Sequence, residues 1–425
     1  MRLLIKNGRV VDPGAGRDEM LDVLIEGGQI VEVAPAIERG EARVLDASGL
    51  VVAPGFIDMH VHAREPGQEH KEDLRTASLA AARGGFTSIC AMPNTKPVND
   101  SVEVTSFIVA EARKKAVVNV FPVAAITRGL AGEELSPMAD LLEAGAAAFS
   151  DDGRCIRDGG LMLRALEEAS RLGALVIDHC EDASLSRDGV MHEGAVSRRL
   201  GVRGIPSAAE DVMVARDVIL AAAVPARVHI AHVSTGGAVD AVRAAKLKGV
   251  RVTAEATPHH LVLSDAALAG LDPNFKVNPP LRGPEDVRAL RTALAEGVID
   301  VLATDHAPHA PEEKAAGFER APFGIDGLET AVPVLLDRLV SGKVIGLGRF
   351  IEMLSTAPAR ILGLANKGSL LPGADADVTI LDLQAETVVD VRRFASKSRN
   401  TPFDGWRLRG GPAITIVGGR VIYPG

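Results

Sequence analysis

The stretch PGFIDMHVHAREPG contains an apolar segment of strand length that ends in two histidines separated by a single residue. Side chains alternate along an extended strand, so His60 and His62 point to the same side and can bind one metal ion together. Arg64 lies just beyond them, and a cation beside a metal suggests an anionic group on the substrate. The histidine pair alone is also compatible with two exposed polar residues, so its interpretation depends on the rest of the chain.

Apolar runs of strand length alternate with alanine-rich segments of helical period through the middle of the chain. This alternation is typical of βα units, whose strands form a parallel sheet. The pattern predicts strands over residues 55–60, 87–92, 117–124, 146–150, 175–180, 227–232, 251–255 and 299–305. It predicts intervening helices that include residues 71–83, 160–172, 208–223 and 284–296. Eight such units predict an α/β fold with a closed (β/α)8 TIM barrel.

Both ends of the chain carry short apolar segments separated by turns. Asn7-Gly8 and Gly27-Gly28 are two-residue hairpin signals near the start, and Gly418-Gly419 is a third near the end. Strands are also expected over residues 376–383 and 413–423. We therefore expect a small composite β domain built from both termini. The predicted boundaries are 1–53 and 366–425 for the two parts of this domain and 54–365 for the barrel.

Polar side chains follow the predicted barrel strands at their carboxyl ends, where such barrels carry out their chemistry. The set consists of His60, His62, Asp151, Asp152, His179, His232 and Asp305. Imidazole and carboxylate ligands without thiolates suit zinc and related divalent ions. A carboxylate that bridges two ions would hold them together, and a hydroxide shared by the ions is a strong nucleophile at neutral pH. The sequence therefore predicts a metal site at the barrel mouth.

The motifs HxHxRxPG, FSDDG, HIAHVS, KVNPPLR and TDHAPH, with a histidine on the fifth strand, resemble those of the class I dihydroorotases in the amidohydrolase superfamily. The resemblance covers nearly the whole chain and implies two zinc ions. It implies His60, His62 and Asp305 as ligands of one ion and His179 and His232 as ligands of the other, with Asp152 bridging both. Hydantoinases and allantoinases bridge their ions with a carbamylated lysine, and GAAAFSDDGR contains no lysine.

The same resemblance implies roles for residues around the metal ions. Asp305 is expected to act also as the general acid/base, which requires a carboxylate within reach of both the nucleophile and the leaving nitrogen. The substrate-binding residues implied are Arg64, Asn94 and His309 for a carboxylate, and Asn278, Phe323 and Gly324 for the ring. The implied reaction is the reversible cyclisation of N-carbamoyl-L-aspartate to L-dihydroorotate in pyrimidine (UMP) biosynthesis.

Two alternatives are weighed beside this reaction. Another cyclic amidohydrolase, such as an allantoinase or a hydantoinase, would not need a set of residues that binds a substrate carboxylate, here Arg64, Asn94 and His309. A non-catalytic dihydroorotase-like scaffold of aspartate transcarbamoylase would be expected to lack metal ligands, and here all of them are present. Aspartate transcarbamoylase is nevertheless a candidate partner, and a homo-oligomer is expected.

Charge and cysteine content narrow the classes of partner and compartment. A formal net charge of −9 argues against nucleic acid and anionic membranes as partners. No apolar run reaches the roughly 18 residues that span a bilayer, and the start lacks the pattern of a secretory signal. The three cysteines, Cys90, Cys155 and Cys180, are scattered and predict no disulfide framework. We therefore expect a cytoplasmic protein.

The remaining histidines have other expected roles. His70 and His192 lie in polar contexts and are expected to be exposed, whereas His229 is expected to pack within its strand. His306 is expected to face the barrel wall. The neighbours His259 and His260 follow the seventh strand and are candidates for orienting metal ligands.

Overall fold

Strands and helices alternate through most of the computed structural model, which describes residues 2–424. The strands are β1 (Arg2–Asp12), β2 (Arg17–Glu26), β3 (Gln29–Ala34), β4 (Arg43–Asp46), β5 (Val51–Pro54), β6 (Phe56–Val61), β7 (Phe86–Ala91), β8 (Asn119–Ala124), β9 (Ala148–Phe149), β10 (Leu175–Asp178), β11 (Met191–His192), β12 (Gly204–Ile205), β13 (Arg227–Ile230), β14 (Val252–Ala256), β15 (Val301–Leu302), β16 (Val378–Val388), β17 (Arg407–Val417) and β18 (Arg420–Tyr423). The helices are α1 (Leu74–Arg83), α2 (Val102–Lys115), α3 (Met138–Glu143), α4 (Gly159–Leu172), α5 (Ala183–Ser186), α6 (Ala195–Leu200), α7 (Ala208–Ala223), α8 (Gly236–Leu247), α9 (Pro258–Val262), α10 (Pro284–Glu296), α11 (Pro311–Lys314), α12 (Ala331–Leu335), α13 (Leu347–Leu354) and α14 (Thr356–Leu362). Among residues 2–424, no helix combines the length and apolar character needed to cross a bilayer.

Eight parallel strands form the barrel, in the hydrogen-bonded order β6-β7-β8-β9-β10-β13-β14-β15. An isolated parallel bridge between Val61 and His306 closes the ring. Each predicted barrel strand overlaps one of these eight, so the predicted (β/α)8 barrel is confirmed. The predicted helices 208–223 and 284–296 coincide with α7 and α10. Because helices cover the outside, the barrel strands are buried on both faces and read as continuous apolar runs.

Several barrel strands end earlier than predicted, and buried acidic side chains account for two of these ends. Asp58, within β6, accepts a hydrogen bond from the Thr304 backbone nitrogen at 3.1 Å, so a side chain replaces the ladder partner there. Glu255, within β14, accepts from the His232 backbone nitrogen at 3.2 Å in the same way. The backbone then turns, and His232 and Asp305 adopt positive φ angles of 31° and 48°. These turns carry the predicted ligands out of the sheet and toward the mouth.

The strands of both termini form one separate sheet, in the order β18-β17-β16-β5-β1-β2-β3 with β4 also paired to β1. The composite β structure predicted from the two ends is therefore confirmed. Gly27-Gly28 and Gly418-Gly419 connect adjacent antiparallel strands as predicted, with positive φ angles that favour glycine.

The predicted hairpin at Asn7-Gly8 is wrong. Strand β1 continues through this dipeptide with a register shift between Ile5 and Gly8 against β2, which is a β-bulge. The Asn7 backbone nitrogen donates to Asp22 Oδ1 at 3.0 Å, so the bulge is held by a neighbouring strand's side chain. The chain reverses only after β1 ends at Asp12, in a turn that Gly16 completes with a positive φ of 65°.

The segment between β16 and β17 leaves this sheet. Within residues 394–403, four polar side chains are almost fully buried, namely Ser396, Ser398, Asn400 and Thr401. Connecting segments usually run over the surface because their polar groups need water. Here the backbone nitrogens of Ala395 and Ser396 donate to Glu329 Oε1, and the Ser396 hydroxyl donates to Glu72, so the segment is bound to the barrel.

Candidate metal and substrate site

All six predicted metal ligands lie together at the carboxyl ends of the barrel strands. They come from five different strands or the turns that follow them, and each is nearly inaccessible to solvent; they are His60, His62, Asp152, His179, His232 and Asp305. Because the strand ends of a closed parallel barrel meet at one rim, residues far apart in the chain share one small volume.

The first group of ligand atoms surrounds Asp305. Its Oδ1 lies 3.1 Å from His62 Nε2 and 3.6 Å from His60 Nε2. The ligand atoms of these three residues all lie within 4.8 Å of one another. This is the set that the sequence predicted for one ion.

The second group surrounds Asp152. Its Oδ1 lies 3.7 Å from His179 Nδ1 and 3.7 Å from His232 Nε2, and these two nitrogens are 2.8 Å apart. The same oxygen is 3.2 Å from His60 Nε2, and Asp152 Oδ2 is 3.4 Å from His62 Nε2. One carboxylate therefore faces both groups, which is the arrangement that a bridging ligand requires.

The donor set is compatible with a metal site. His60 Nε2 and Asp152 Oδ1 are buried and have no hydrogen-bond partner within residues 2–424. Buried polar atoms are nearly always partnered, so two orphans that face each other need an explanation. Imidazole nitrogens and carboxylate oxygens in this arrangement are the ligands that divalent ions such as zinc accept. The cluster of histidines and aspartates thus fits a metal centre.

Glu255 orients two of the histidines, and the sequence reasoning missed it. Its carboxylate accepts from His60 Nδ1 at 2.7 Å and from His229 Nε2 at 3.1 Å. The bond to His60 leaves Nε2 free to face the metal cluster, as in the carboxylate–histidine pairs of other metal sites. Burial alone would raise the pKa of the Glu255 carboxyl. The neighbouring His60 and His229 outweigh it and hold that pKa well below its usual value. A charged residue inside the apolar strand VTAEA was the available signal.

Two further ligands are oriented in the same way. Asn94 Oδ1 accepts from His62 Nδ1 at 2.9 Å, which directs His62 Nε2 toward Asp305. Glu181 Oε2 accepts from His179 Nε2 at 3.2 Å, which leaves His179 Nδ1 for the cluster. These two hydrogen bonds select the tautomers that a metal centre needs.

A cavity of about 200 Å³ adjoins the cluster. Besides the metal-ligand residues, it is lined by all six predicted substrate-binding residues, namely Arg64, Asn94, Asn278, His309, Phe323 and Gly324. The structure therefore brings the two predicted sets together, although their individual roles stay predictions.

Arg64 and His309 form one side of this cavity. The Arg64 Nε donates to the Pro308 carbonyl at 3.2 Å, whereas its two terminal nitrogens donate to no acceptor within residues 2–424. Burial lowers the pKa of Arg64 to about 10, so it stays charged at neutral pH. Burial, together with the charge of Arg64, lowers the pKa of His309 to about 3, so that imidazole is neutral. Its Nε2 donates to the Phe323 carbonyl at 2.8 Å.

Other loop residues also line the cavity. Asn278 Nδ2 donates to Glu181 Oε2 at 2.6 Å. Gly324 has a φ of 146°, and a Cβ atom there would lie 2.7 Å from the Ala307 carbonyl oxygen. A side chain at this position would therefore strain the backbone and displace its neighbour.

The remaining histidines divide as follows. The prediction that His192 is exposed is wrong: it is buried beside Arg282, whose Nη1 lies 3.5 Å from His192 Nδ1. The packed position of His229 is confirmed, and His70 is exposed as predicted. His260 hydrogen-bonds to Thr257 and the Pro279 carbonyl, and no predicted ligand.

Two neighbours of the ligands point away from the cluster. His306 Nδ1 lies 2.9 Å from Asp326 Oδ1, in the barrel wall as predicted. The Asp151 carboxylate accepts from the Thr127 backbone nitrogen at 2.9 Å, and burial raises the pKa of Asp151 to about 6. Asp151 therefore supports the loop that carries Asp152.

Comparisons with known proteins identify the family of this chain. A family model described as "Dihydro-orotase-like" matches residues 49–237. A dihydroorotase of Pelotomaculum thermopropionicum is 56% identical over 422 residues, which cover 99% of this chain and 98% of the relative. A dihydroorotase of Geotalea daltonii is 52% identical and covers 100% of this chain and 99% of the relative.

Solved structures share the complete fold. An L-hydantoinase (dihydropyrimidinase) from Arthrobacter aurescens superposes with a TM-score of 0.90 at 27% identity, covering 99% of this chain and 95% of the hydantoinase. With identities above one half to full-length dihydroorotases and the barrel of the cyclic-amide hydrolases, this chain belongs to the dihydroorotase family.

Proposed function

We propose that this site catalyses the reversible cyclisation of N-carbamoyl-L-aspartate to L-dihydroorotate, a step of pyrimidine (UMP) synthesis. The observation that carries the proposal is the joint placement of a metal-type cluster and a buried arginine with free terminal nitrogens around one cavity. A cyclic amide that carries a carboxylate matches both features. The cluster suits attack on an amide carbonyl, and the guanidinium suits the carboxylate.

The metal ions belong to this proposal. We assign His60, His62 and Asp305 to one zinc ion and His179 and His232 to a second, with Asp152 bridging both. The short distances from Asp152 to both groups support the assignment. Bound zinc would supply a hydroxide at neutral pH and polarise the amide carbonyl.

Asp305 is the proposed general acid/base. Its carboxylate lies at the edge of the cavity beside His62, where it can reach both an attacked carbonyl and the ring nitrogen. During hydrolysis it takes a proton as the carbonyl carbon is attacked and delivers that proton to the departing ring nitrogen. During cyclisation the carbamoyl nitrogen attacks the side-chain carboxyl carbon of the substrate, and the same carboxylate accepts the nitrogen's proton and returns it to the carboxyl oxygen that leaves as water.

The substrate carboxylate is assigned to Arg64, with Asn94 and His309 beside it. Because the pKa of His309 is depressed to about 3, that imidazole takes part as a neutral hydrogen-bonding group. Asn278 and the backbone of Phe323 and Gly324 also line the cavity and are assigned to the ring. Arg64 supplies the charge and the others supply orientation.

The test is an absorbance assay of L-dihydroorotate hydrolysis on zinc-loaded protein, with and without a chelator. Turnover that disappears with the chelator and returns with zinc supports the proposal. Zinc-replete protein without turnover would refute the reaction, and turnover unaffected by complete metal removal would refute the metal site.

A different cyclic amide is the alternative substrate. Uncharged hydantoins lack the carboxylate that Arg64 would bind, so we expect turnover of hydantoin to be far below that of L-dihydroorotate. Equal or faster turnover of hydantoin would favour the hydantoinase alternative. Zinc analysis of the purified protein addresses the scaffold alternative, which predicts no bound metal.

We also propose a cytoplasmic homo-oligomer that associates with aspartate transcarbamoylase. The cysteines Cys90, Cys155 and Cys180 are all free, which fits a reducing compartment. The apolar side chains of Ile219 and Leu247 are 67% and 83% exposed, which supports a covered surface in an oligomer. Sedimentation with and without aspartate transcarbamoylase tests both associations. The division into residues 1–53, 54–365 and 366–425 is likewise a proposal.

A further inference from the structure

The 394–403 segment, which connects two strands of the terminal sheet, reaches the mouth of the barrel. Asn400 is its most highly connected residue and is 3% exposed. Its side chain and backbone bind two loops that bear cavity-lining residues, those at 307–309 and 324–326. Neither loop is part of the terminal sheet or of a barrel strand.

The Asn400 side chain uses both of its polar atoms. Its Oδ1 accepts from the His309 backbone nitrogen at 3.0 Å. Its Nδ2 donates to the Ala307 carbonyl at 3.1 Å and to the Gly324 carbonyl at 2.9 Å. An amide suits this position, because a carboxylate would repel two carbonyl oxygens and an apolar side chain would remove the donor from both of them.

The backbone around Asn400 strengthens the same connection. The Asp326 backbone nitrogen donates to the Asn400 carbonyl at 2.9 Å. The Ser398 hydroxyl lies 3.2 Å from the His309 backbone nitrogen and donates to the His309 carbonyl at 3.1 Å. At the end of the segment, Phe403 is buried in an apolar cluster with Phe318 and Ile325.

Two of the residues held by Asn400, His309 and Gly324, line the cavity. His309 is fixed at its backbone by Asn400 and at its ring by the Phe323 carbonyl, and Gly324 is fixed at its carbonyl. The Asn400 side chain therefore adds a third connection between these two loops, which also meet where the Ala307 backbone nitrogen donates to the Ile325 carbonyl at 2.9 Å and where the His309 ring donates to the Phe323 carbonyl. Displacement by a fraction of an ångström would misplace the groups that face the substrate while leaving the metal cluster intact.

We propose that Asn400 is a positioning residue for substrate binding, through which the carboxyl-terminal part of the chain completes a pocket otherwise built by the barrel. The inference rests on the proposed function, because it takes the cavity as the L-dihydroorotate site. Asn400 itself contacts no reacting atom; it fixes His309 and the Phe323–Gly324 backbone.

The experiment compares Asn400→Ala with Asn119→Ala as a matched control. Asn119 lies at the opposite end of the barrel, where its Nδ2 donates to the Thr87 carbonyl at 2.9 Å and to Asp377 Oδ2 at 2.9 Å. Both variants lose amide hydrogen bonds, which are buried at Asn400 and half-buried at Asn119, so both are expected to unfold at lower temperature. Only Asn400→Ala is expected to raise the KM for L-dihydroorotate, by about tenfold, with kcat within about threefold and zinc content unchanged.

A second readout does not depend on turnover. Amide hydrogen exchange in peptides that cover residues 305–310 and 322–327 should accelerate in Asn400→Ala and stay as in the wild type in Asn119→Ala. Asn400→Asp carries the test if the alanine variant does not fold. It keeps the acceptor for His309 but places an anion against two carbonyls, so its KM should rise at least as much.

Unchanged KM and unchanged exchange in a folded Asn400 variant would overturn the inference, as would an equal rise of KM in Asn119→Ala. Failure of the proposed function is distinguishable, because the zinc-loaded wild-type protein would then not hydrolyse L-dihydroorotate at all. Faster exchange in the two peptides would in that case still show that Asn400 holds the loops.

Discussion

The two sides of the cavity are built from different parts of the fold. The cluster of predicted metal ligands comes from strand ends and the short turns after them, and buried acidic or amide side chains such as Glu255 orient its imidazoles. The opposite side comes from loops, which are held by hydrogen bonds to backbone carbonyls and amides. From this difference we infer that the strand ends determine turnover and metal content, whereas the loops determine the affinity and selectivity for the substrate.

The largest effect is expected from Asp305→Asn on the strand side. The amide keeps an oxygen near His62 but cannot accept and return a proton, so kcat should fall by about 10³-fold with zinc still bound. Kinetics and metal analysis measure the two quantities separately. Asp300→Asn, at the opposite end of the same βα unit, is the control and should keep kcat. A wild-type rate in Asp305→Asn would remove the acid/base assignment.

Arg64→Gln tests the loop side with the next largest effect. Loss of a charged hydrogen-bond pair to the substrate carboxylate should raise the KM for L-dihydroorotate by about 30-fold, with zinc content as in the wild type. Arg64→Lys should recover only part of the loss, because an ammonium cannot offer paired planar donors. A KM within twofold of the wild type for Arg64→Gln would place the carboxylate elsewhere.

Glu255→Gln tests the strand side of the cavity through its effect on zinc affinity. The glutamine side chain keeps the shape but loses the charge that orients His60, so zinc affinity should fall by about tenfold or more. Titration with a competing chelator measures the affinity, and activity at saturating zinc should largely return. If zinc affinity stays unchanged while the KM for substrate rises, the two sides of the cavity are not separable as described.

Lys314→Met is expected to have the smallest effect. Lys314 Nζ donates to the Pro273 carbonyl and to the Pro322 carbonyl, each at 2.9 Å, and so fastens the loop at residues 310–322. Without these bonds the loop should be cleaved faster in limited proteolysis, and kcat/KM should fall by about threefold. The metal content should not change. Proteolysis at the wild-type rate would show that other contacts hold the loop.

The strand side was largely predictable from the sequence, because the side-chain period and the position of strand ends are local properties. His60, Asp152 and Asp305 could be assigned to one rim as soon as eight βα units were recognised. Their hydrogen-bond partners could not, since Glu255 lies 195 residues from His60 along the chain. The same reason explains His192, which is buried by a contact with Arg282, 90 residues away.

The loop side was less predictable. Asn278 and Phe323 were predicted as site residues only from a resemblance to a known family, because no periodic pattern marks residues in loops. Asn400 gave no signal at all, since a polar run such as SKSRNT is normally exposed and its burial depends on the tertiary fold. Asn7-Gly8 failed for a related reason: a local turn signal was overridden by pairing with β2.

Anomalous diffraction at the zinc edge, from crystals of the zinc-loaded protein, tests directly whether the strand-end histidines and aspartates bind two metal ions. We expect two peaks, one among His60, His62 and Asp305 and one between His179 and His232, with Asp152 touching both. Zinc peaks only at other places, or none in a protein that hydrolyses L-dihydroorotate, would contradict the account.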